Sequence, residues 1–118
     1  MKLLVTGGRN YSNFERVNKV LIWLHDQTPI TLLVSGGATG ADYWCKLWAE
    51  TLGIPVATYA ITPRCWKKYG KSAGPRRNQM MLDEEKPDRC IAFPGGRGTA
   101  DMVLRCEKRG VPVTKSPT

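Results

Sequence analysis

Three times along this chain, a glycine-rich turn follows a short apolar run and precedes a segment with helical spacing. The turns contain the glycine pairs Gly7-Gly8, Gly36-Gly37 and Gly95-Gly96. Short connections between alternating strands and helices are typical of a parallel sheet covered by helices on both faces. The sequence therefore predicts an α/β fold.

The strands and helices can be placed approximately from apolar spacing and from glycine and proline. Strands are predicted at Leu3–Thr6, Ile30–Val34, Pro55–Ile61 and Cys90–Phe93, with a fifth that begins at Val111. One helix, capped by Ser12 or Asn13, has the apolar face Phe14, Val17, Val20, Leu21 and Leu24. The next has the apolar face Ala41, Trp44, Cys45, Trp48 and Leu52 and stops at Gly53. A third begins at Gly74-Pro75 and runs to about Glu85, and a fourth contains Met102–Cys106. Residues 62–73 are predicted to be irregular, with a short helical turn around Trp66.

Length and composition indicate one domain over residues 1–118, long enough for a hydrophobic core without metal or disulfide. No apolar stretch approaches the length of a membrane span, and the first residues lack a signal-peptide pattern, so we expect a cytoplasmic protein without membrane contact. The four cysteines lack zinc-site spacing, and no metal or cofactor is predicted. Cys45, Cys90 and Cys106 are predicted to be buried thiols. The only histidine, His25, is predicted to end a helix.

The net charge of +8 is concentrated in one segment. Between residues 64 and 77 there are six cations and no acid: Arg64, Lys67, Lys68, Lys71, Arg76 and Arg77. Such a segment is either a solvated loop or a surface that contacts phosphate or nucleic acid. Composition leaves both interpretations open.

The three glycine turns are expected at the carboxyl edge of the sheet, where α/β proteins bind ligands. With the strand order 3-2-1-4-5, the turns after the first and fourth strands would face each other across a crevice. No turn has the G-x-G-x-x-G or G-K-[ST] pattern, which disfavours ordinary dehydrogenases and P-loop ATPases. Asp42 is predicted to cap its helix or hold a ribose hydroxyl, and Thr99 and Asp101 to satisfy amides at the start of theirs.

Four motifs in this order resemble the YspA-like branch of the SLOG superfamily, over nearly the whole chain. They are Gly7–Tyr11, Gly36–Asp42, Ala73–Met81 and Phe93–Met102. The superfamily includes the LOG phosphoribohydrolases, long called lysine decarboxylase-like, and the DNA-processing protein A family. The branch consists of small bacterial and phage proteins.

This resemblance implies a Rossmann-like three-layer sandwich that binds a nucleotide or nucleotide-derived ligand at its glycine-rich loops. In LOG enzymes, a P-G-G-x-G-T-x-x-E motif and an upstream arginine help to cleave an N-glycosidic bond. Here the glutamate position holds Met102, Asp101 lies one place earlier, and Arg77 is the candidate arginine. Asp101 and Arg77 are therefore the candidate catalytic pair.

The predicted ligand-binding residues belong to the four motifs. They are Gly7, Gly8, Arg9, Tyr11, Gly36, Gly37, Gly40, Asp42, Arg77, Asn78, Pro94, Gly95, Gly96, Arg97, Gly98 and Thr99. The leading hypothesis is a sensor or processing protein for a nucleotide-type ligand such as a nucleoside phosphate or ADP-ribose. One alternative is an N-glycosidase acting on nucleoside monophosphates. The other is binding of single-stranded nucleic acid through the cations of residues 64–76, with Trp66 and Tyr69 as stacking rings. Analogy with LOG proteins also suggests a homodimer through the tryptophan-bearing helix.

Overall fold

The computed structural model describes residues 1–118 and contains one five-stranded sheet. The strands are β1 (Lys2–Thr6), β2 (Leu32–Ser35), β3 (Val56–Thr58), β4 (Arg89–Ala92) and β5 (Val113–Lys115). All neighbouring strands are parallel, in the order β3-β2-β1-β4-β5. At the centre, Leu4 pairs with Val34 on one side and with Cys90 on the other. The predicted Rossmann-like α/β fold and its strand order are confirmed.

Five helices connect or follow the strands. They are α1 (Phe14–Gln27), α2 (Ala41–Thr51), α3 (Pro63–Tyr69), α4 (Ala73–Glu85) and α5 (Arg97–Arg109). A 3₁₀ turn at Gly70–Ser72 joins α3 to α4. None of the helices has the length and apolar character that crossing a bilayer requires.

The sheet lies between two apolar layers because successive side chains of a strand point to opposite faces. In β1, Leu3 and Val5 pack in the layer that contains α1 and α2, whereas Leu4 packs in the layer that contains α4 and α5. All three side chains are fully buried. Burial of one such side chain is worth about 2 kcal/mol, so this alternation fixes the register of the central strand.

The ends of α1 follow the predicted signals. The Asn13 side chain accepts a hydrogen bond from the Arg16 amide at 3.1 Å, which satisfies one free donor of the first turn. His25 lies in the last turn, where its Nδ1 accepts a hydrogen bond from the Ile30 amide at 2.9 Å. His25 thus joins the end of α1 to the chain that enters β2.

Two segments differ most from the prediction, and β2 and β5 each begin two residues later than predicted. Residues 62–73 are regular rather than irregular, because the Thr62 hydroxyl accepts the Cys65 amide and Pro63 occupies the first turn of α3. The third strand is limited to Val56–Thr58, and the chain leaves the sheet after the Tyr59 amide has donated to Ser35 O.

The start of α5 is also different. The helix begins at Arg97 after Gly96, and no side chain caps it. Thr99 and Asp101 therefore lie inside the helix, and the prediction that they satisfy its free amides is wrong. The predicted burial of Cys45, Cys90 and Cys106 is confirmed.

Candidate functional site

The turns after β1 and β4 are in direct backbone contact. The Gly8 amide donates to Pro94 O at 2.9 Å, and Gly8 O accepts the Ala41 amide at 3.1 Å. The turn after β1 is thus packed between the turns after β4 and β2. The prediction of a crevice between the first and fourth turns is wrong, because this contact fills that space.

Two glycines permit this close packing. Gly40 has a φ of +75°, and a Cβ there would overlap Gly8 O. A Cβ at Gly95 would overlap the Thr99 hydroxyl and lie 2.7 Å from the Gly8 amide nitrogen. Gly96 and Gly98, in contrast, face open space at the exposed start of α5. The glycines of the motifs therefore divide into loop-packing positions and solvent-facing positions.

Four of the predicted ligand-binding residues, Pro94, Gly95, Gly96 and Thr99, line an open cavity beside the turn after β4. A separate open cavity lies over the turn after β2 rather than at the switch point. Its volume is about 340 Å³. Backbone turns, two arginines and one indole line it: Arg9, Gly36, Gly37, Ala38, Thr39, Ala60, Ile61, Trp66 and Arg77. No carboxylate is part of this lining. We refer to this cavity as the arginine crevice.

Arg77 forms the inner wall of the arginine crevice. Its Nη1 donates to Gly36 O at 2.8 Å, and its Nε donates to the Asn78 side-chain oxygen at 3.0 Å. The guanidinium lies so close to the Gly36 backbone that a Cβ there would collide with it. Burial lowers the pKa of Arg77, the Asp42 carboxylate opposes this shift, and Arg9 adds to it. Two guanidinium groups thus line the same crevice.

Arg9 reaches the crevice from the turn after β1. Its guanidinium carbon lies 5.9 Å from the centre of the Trp66 ring, within the range of a cation–π contact. Its backbone oxygen accepts the Thr39 hydroxyl at 3.1 Å, which links the turn after β1 to the turn after β2. Trp66 itself, on α3, is 40% exposed.

Asp42 lies behind the turn after β2 and is buried. Its Oδ2 accepts the Ala38 amide at 3.1 Å, so it holds the turn and does not cap α2, whose first turn has no side-chain cap. Burial raises the pKa of Asp42 to about 6, against the opposing effects of the Ala38 and Gly36 amides and of Arg77. Asp42 does not line the crevice.

The candidate catalytic pair is joined through Asn78, which is buried. The Asn78 amide nitrogen donates to Asp101 Oδ2 at 2.9 Å and to Gly98 O at 3.3 Å. Arg105 Nε also donates to Asp101 Oδ2, at 2.8 Å. Burial alone would raise the pKa of Asp101, but the hydrogen bonds from Arg105 and Asn78 prevail and lower it. Asp101 therefore lies between α4 and α5, outside the crevice lining, and Met102 is buried in the core.

The other predicted site residues lie at the rim of the edge or away from it. Tyr11 donates through its hydroxyl to Thr118 O at 3.0 Å and packs against Phe93. Arg97 is exposed at the start of α5. Of the two tryptophans of α2, Trp48 is buried in the core, and the Trp44 indole donates a hydrogen bond to Tyr11 O.

Five residues that line the arginine crevice were not among the ligand-binding residues predicted from the sequence. They are Ala38, Thr39, Ala60, Ile61 and Trp66. Ala38 and Thr39 fall inside a recognised motif and could have been included. Trp66 was predicted as a stacking ring for nucleic acid and not as a contact for a small ligand. No local signal marks Ala60 or Ile61.

A parallel sheet in this order, with glycine-rich turns packed over its carboxyl edge, defines a Rossmann-like α/β protein. Residues 1–68 match the model of the YspA, cpYpsA-related SLOG family. Since the match covers more than half of the chain, the protein belongs to that family.

One solved structure extends this comparison to the whole fold. DNA processing protein A (DprA) from Streptococcus pneumoniae matches with a TM-score of 0.57 at 20% sequence identity. The match covers 98% of this chain but 58% of that chain, so this chain spans little more than half the length of DprA. At this identity the likeness shows a shared fold alone. No curated protein matches the sequence.

Proposed function

We propose that the protein binds a phosphate-bearing, nucleotide-type ligand in the arginine crevice, as a sensor or processing protein. Arg9 and Arg77 would hold the phosphate, and Trp66 would contact the base. Membership of the SLOG family supports a nucleotide-related role in general.

The observation that carries this proposal is the convergence of two guanidinium groups on a cavity without a carboxylate. Two like charges repel each other, and burial of one of them adds a desolvation cost. A bound phosphate relieves both effects, since it supplies negative charge and bidentate hydrogen-bond acceptors. The three bonds that fix Arg77 to Gly36, Tyr59 and Asn78 use only its Nε and Nη1, which leaves Nη2 for a ligand.

The turn after β2 supplies further donors beside the two arginines. The amides of Gly37 and Ala38 are used by the Ser35 hydroxyl and the Asp42 carboxylate. The amides of Thr39 and Gly40 donate to no other group of the protein. Successive free amides in a turn suit phosphate oxygens.

Binding is favoured over hydrolysis because neither Asp42 nor Asp101 lines the crevice. Cleavage of an N-glycosidic bond needs a carboxylate near the reacting carbon to stabilise positive charge or activate water. The match of Pro94–Thr99 to the LOG motif keeps hydrolysis as an alternative, which the experiment described below also tests.

A second candidate function rests on the exposed cations of α3 and the residues after it. The side chains of Arg64, Lys67, Lys68, Lys71 and Arg76 are all exposed, and no acid lies among them. This surface adjoins the crevice through Trp66 and suits the backbone of a single-stranded nucleic acid. The similar structure is that of a DNA processing protein, which supports this candidate by analogy.

The experiment incubates the protein with nucleoside monophosphates, NAD and ADP-ribose, and follows retained ligand and released base by mass spectrometry. Arg9→Gln removes one crevice cation. Arg89→Gln is the matched control, since Arg89 begins β4 at the opposite edge of the sheet. Loss of one charged contact to phosphate should weaken binding roughly tenfold.

We expect an intact retained ligand with the wild-type protein and with Arg89→Gln, and weaker retention with Arg9→Gln. Released base that disappears in Asp101→Asn would support hydrolysis instead. No retention of any compound by the wild-type protein would refute the proposal.

A further inference from the structure

The edge strand β5 has an open groove on each of its two faces. On the α5 side, a cavity of about 490 Å³ is bounded by the turn after β4 (Phe93–Gly96) and by Ala100, Val103 and Leu104 of α5. On the α1 side, a second cavity of about 280 Å³ is bounded by Val20 and Trp23. Lys115 contributes to both cavities.

The outer edge of β5 is also unpaired. β4 is its only neighbour in the sheet. The Cys90 amide donates to Pro112 O, and the Ser116 amide donates to Ala92 O. Because the main-chain groups of a parallel strand alternate in direction, Thr114 faces β4, whereas the amides and carbonyls of Val113 and Lys115 point away from the sheet. The last residues do not cover this edge, since Thr118 O accepts the Tyr11 hydroxyl over the turn after β1.

An edge strand between two grooves can accept another strand. In an added strand, alternate side chains would enter opposite grooves, while its main chain would bond to Val113 and Lys115. We propose that β5 docks an extended segment of a partner protein in which acidic residues alternate with apolar residues. This surface is separate from the arginine crevice, so the inference goes beyond the function proposed above.

Charge and apolar surface specify the chemistry of the two sets of side chains. The groove on the α1 side has three cations and no acid: Arg16, Lys19 and Lys115. Acidic side chains therefore fit this groove. The groove on the α5 side has an apolar part formed by Ala100, Val103 and the half-exposed Leu104, which suits the alternate apolar side chains, and Glu107 and Lys115 lie beside it.

Charge also argues against a second copy of this chain as the occupant. Pairing β5 with β5 of another copy would bring together Arg16, Lys19 and Lys115 of both molecules, each with a net charge of +8. Like charges placed directly opposite destabilise a strand pair. The acidic partner is thus the better complement.

The test uses fluorescein-labelled nonapeptides in which valine alternates with glutamate, and measures binding to the full chain by fluorescence anisotropy. A peptide with lysine in place of glutamate tests charge. A glutamate peptide with N-methyl groups on alternate backbone amides tests strand addition. We expect saturable binding of the glutamate peptide alone.

Two pairs of protein variants separate the main-chain and charge contributions. Lys115→Pro removes an outward amide, and Lys115→Gln is its control because it removes the charge but keeps the amide. We expect the proline variant to bind the glutamate peptide roughly tenfold more weakly than the glutamine variant, owing to lost main-chain hydrogen bonds. Lys19→Glu should also weaken binding, whereas Lys46→Glu, on α2, should not.

Circular dichroism of Lys115→Pro first establishes that the variant is folded. If it is not, the N-methylated peptide with the wild-type protein decides the same point. Equal binding of the methylated and unmethylated peptides, or no saturable binding, would overturn the proposal. A wild-type dimer in sedimentation that Lys115→Pro dissociates would assign the edge to a second copy, and would overturn it as well.

Discussion

Asn78 and Asp101 are hydrogen-bonded at 2.9 Å, and this contact joins α4 to α5 behind the carboxyl edge of the sheet. The same Asn78 side chain accepts from Arg77, which in turn binds the turn after β2 through Gly36 O. Asn78 thus connects the wall of the arginine crevice to the first turns of α5. The residue expected to assist catalysis, Asp101, is held in this network by two donors.

Asn78→Ala should destabilise the protein by about 1–3 kcal/mol, because it leaves partly buried polar groups of Arg77 and Gly98 without a partner. Asn18→Ala is the matched control, since Asn18 lies in the middle of α1 without a side-chain hydrogen bond. Urea unfolding at neutral pH measures both changes. An equal effect of the two substitutions would contradict the bridging role of Asn78.

Asp42 should make stability depend on pH. Folding raises the pKa of this carboxyl from 3.8 to about 6, so the folded protein binds the proton more tightly than the unfolded chain. The contribution of Asp42 to the free energy of unfolding is therefore most favourable in acid. It falls as the pH rises from about 4 to about 6 and stays constant at higher pH.

Asp42→Asn removes this dependence. At about pH 8 the variant should be more stable than the wild-type protein by up to about 3 kcal/mol, and the difference should vanish near pH 3. Asp26→Asn, an equivalent change at an exposed position of α1, is the matched control. A difference between wild type and Asp42→Asn that stays constant with pH would refute the account of Asp42.

Gly40 and Gly53 both have positive φ, +75° and +70°, but only Gly40 packs against another turn. Gly53→Ala should cost about 1–2 kcal/mol, the strain of a left-handed residue with a Cβ. Gly40→Ala should cost several kcal/mol more because its Cβ would overlap Gly8 O. Thermal unfolding of the two variants compares them directly, and equal losses would contradict the loop packing described for Gly8.

If α3 carries a nucleic-acid surface, binding of a single-stranded oligonucleotide should weaken steeply with salt. The slope of log K against log salt should be about −0.7 for each phosphate contacted. Reversal of both Lys67 and Lys68 to glutamate should abolish this binding. The same reversal at Lys46 and Lys108, on α2 and α5, gives a control variant with the same net charge as the Lys67 and Lys68 variant. This control should bind the oligonucleotide much more strongly than that variant. Binding insensitive to salt would exclude this surface.

The fold could be predicted because its determinants are local. Apolar runs such as Leu3–Val5 and glycine turns recur at short intervals, and their alternation specifies a parallel sheet. The helical α3 was also marked locally, by Thr62 and Pro63, but the cations that follow were interpreted as a loop. The extent of β3 was not predictable, because the strand ends where the chain stops pairing with β2, and the last such hydrogen bond is the one from the Tyr59 amide to Ser35 O.

The site was predicted only in part because its geometry depends on tertiary contacts. Gly8, Gly40 and Gly95 were predicted to bind a ligand, whereas each of them packs closely against neighbouring backbone or side-chain atoms of the turns. Asp101 was placed at a helix start, but α5 begins four residues earlier, which turns the carboxylate towards Asn78. Arg9 and Arg77 were both expected near a ligand, yet their convergence with Trp66 follows only from the folded chain.

A two-dimensional NMR titration of the isotope-labelled protein with adenosine monophosphate, ADP-ribose and NAD tests directly whether the arginine crevice binds a nucleotide. We expect at least one compound to shift the backbone amides of Gly37–Thr39 and the indole signal of Trp66, and Arg9→Gln to weaken this response. Arg89→Gln should respond like the wild-type protein. Saturable shifts confined to other surfaces, or no shifts with any of the three compounds, would contradict a nucleotide site in the arginine crevice.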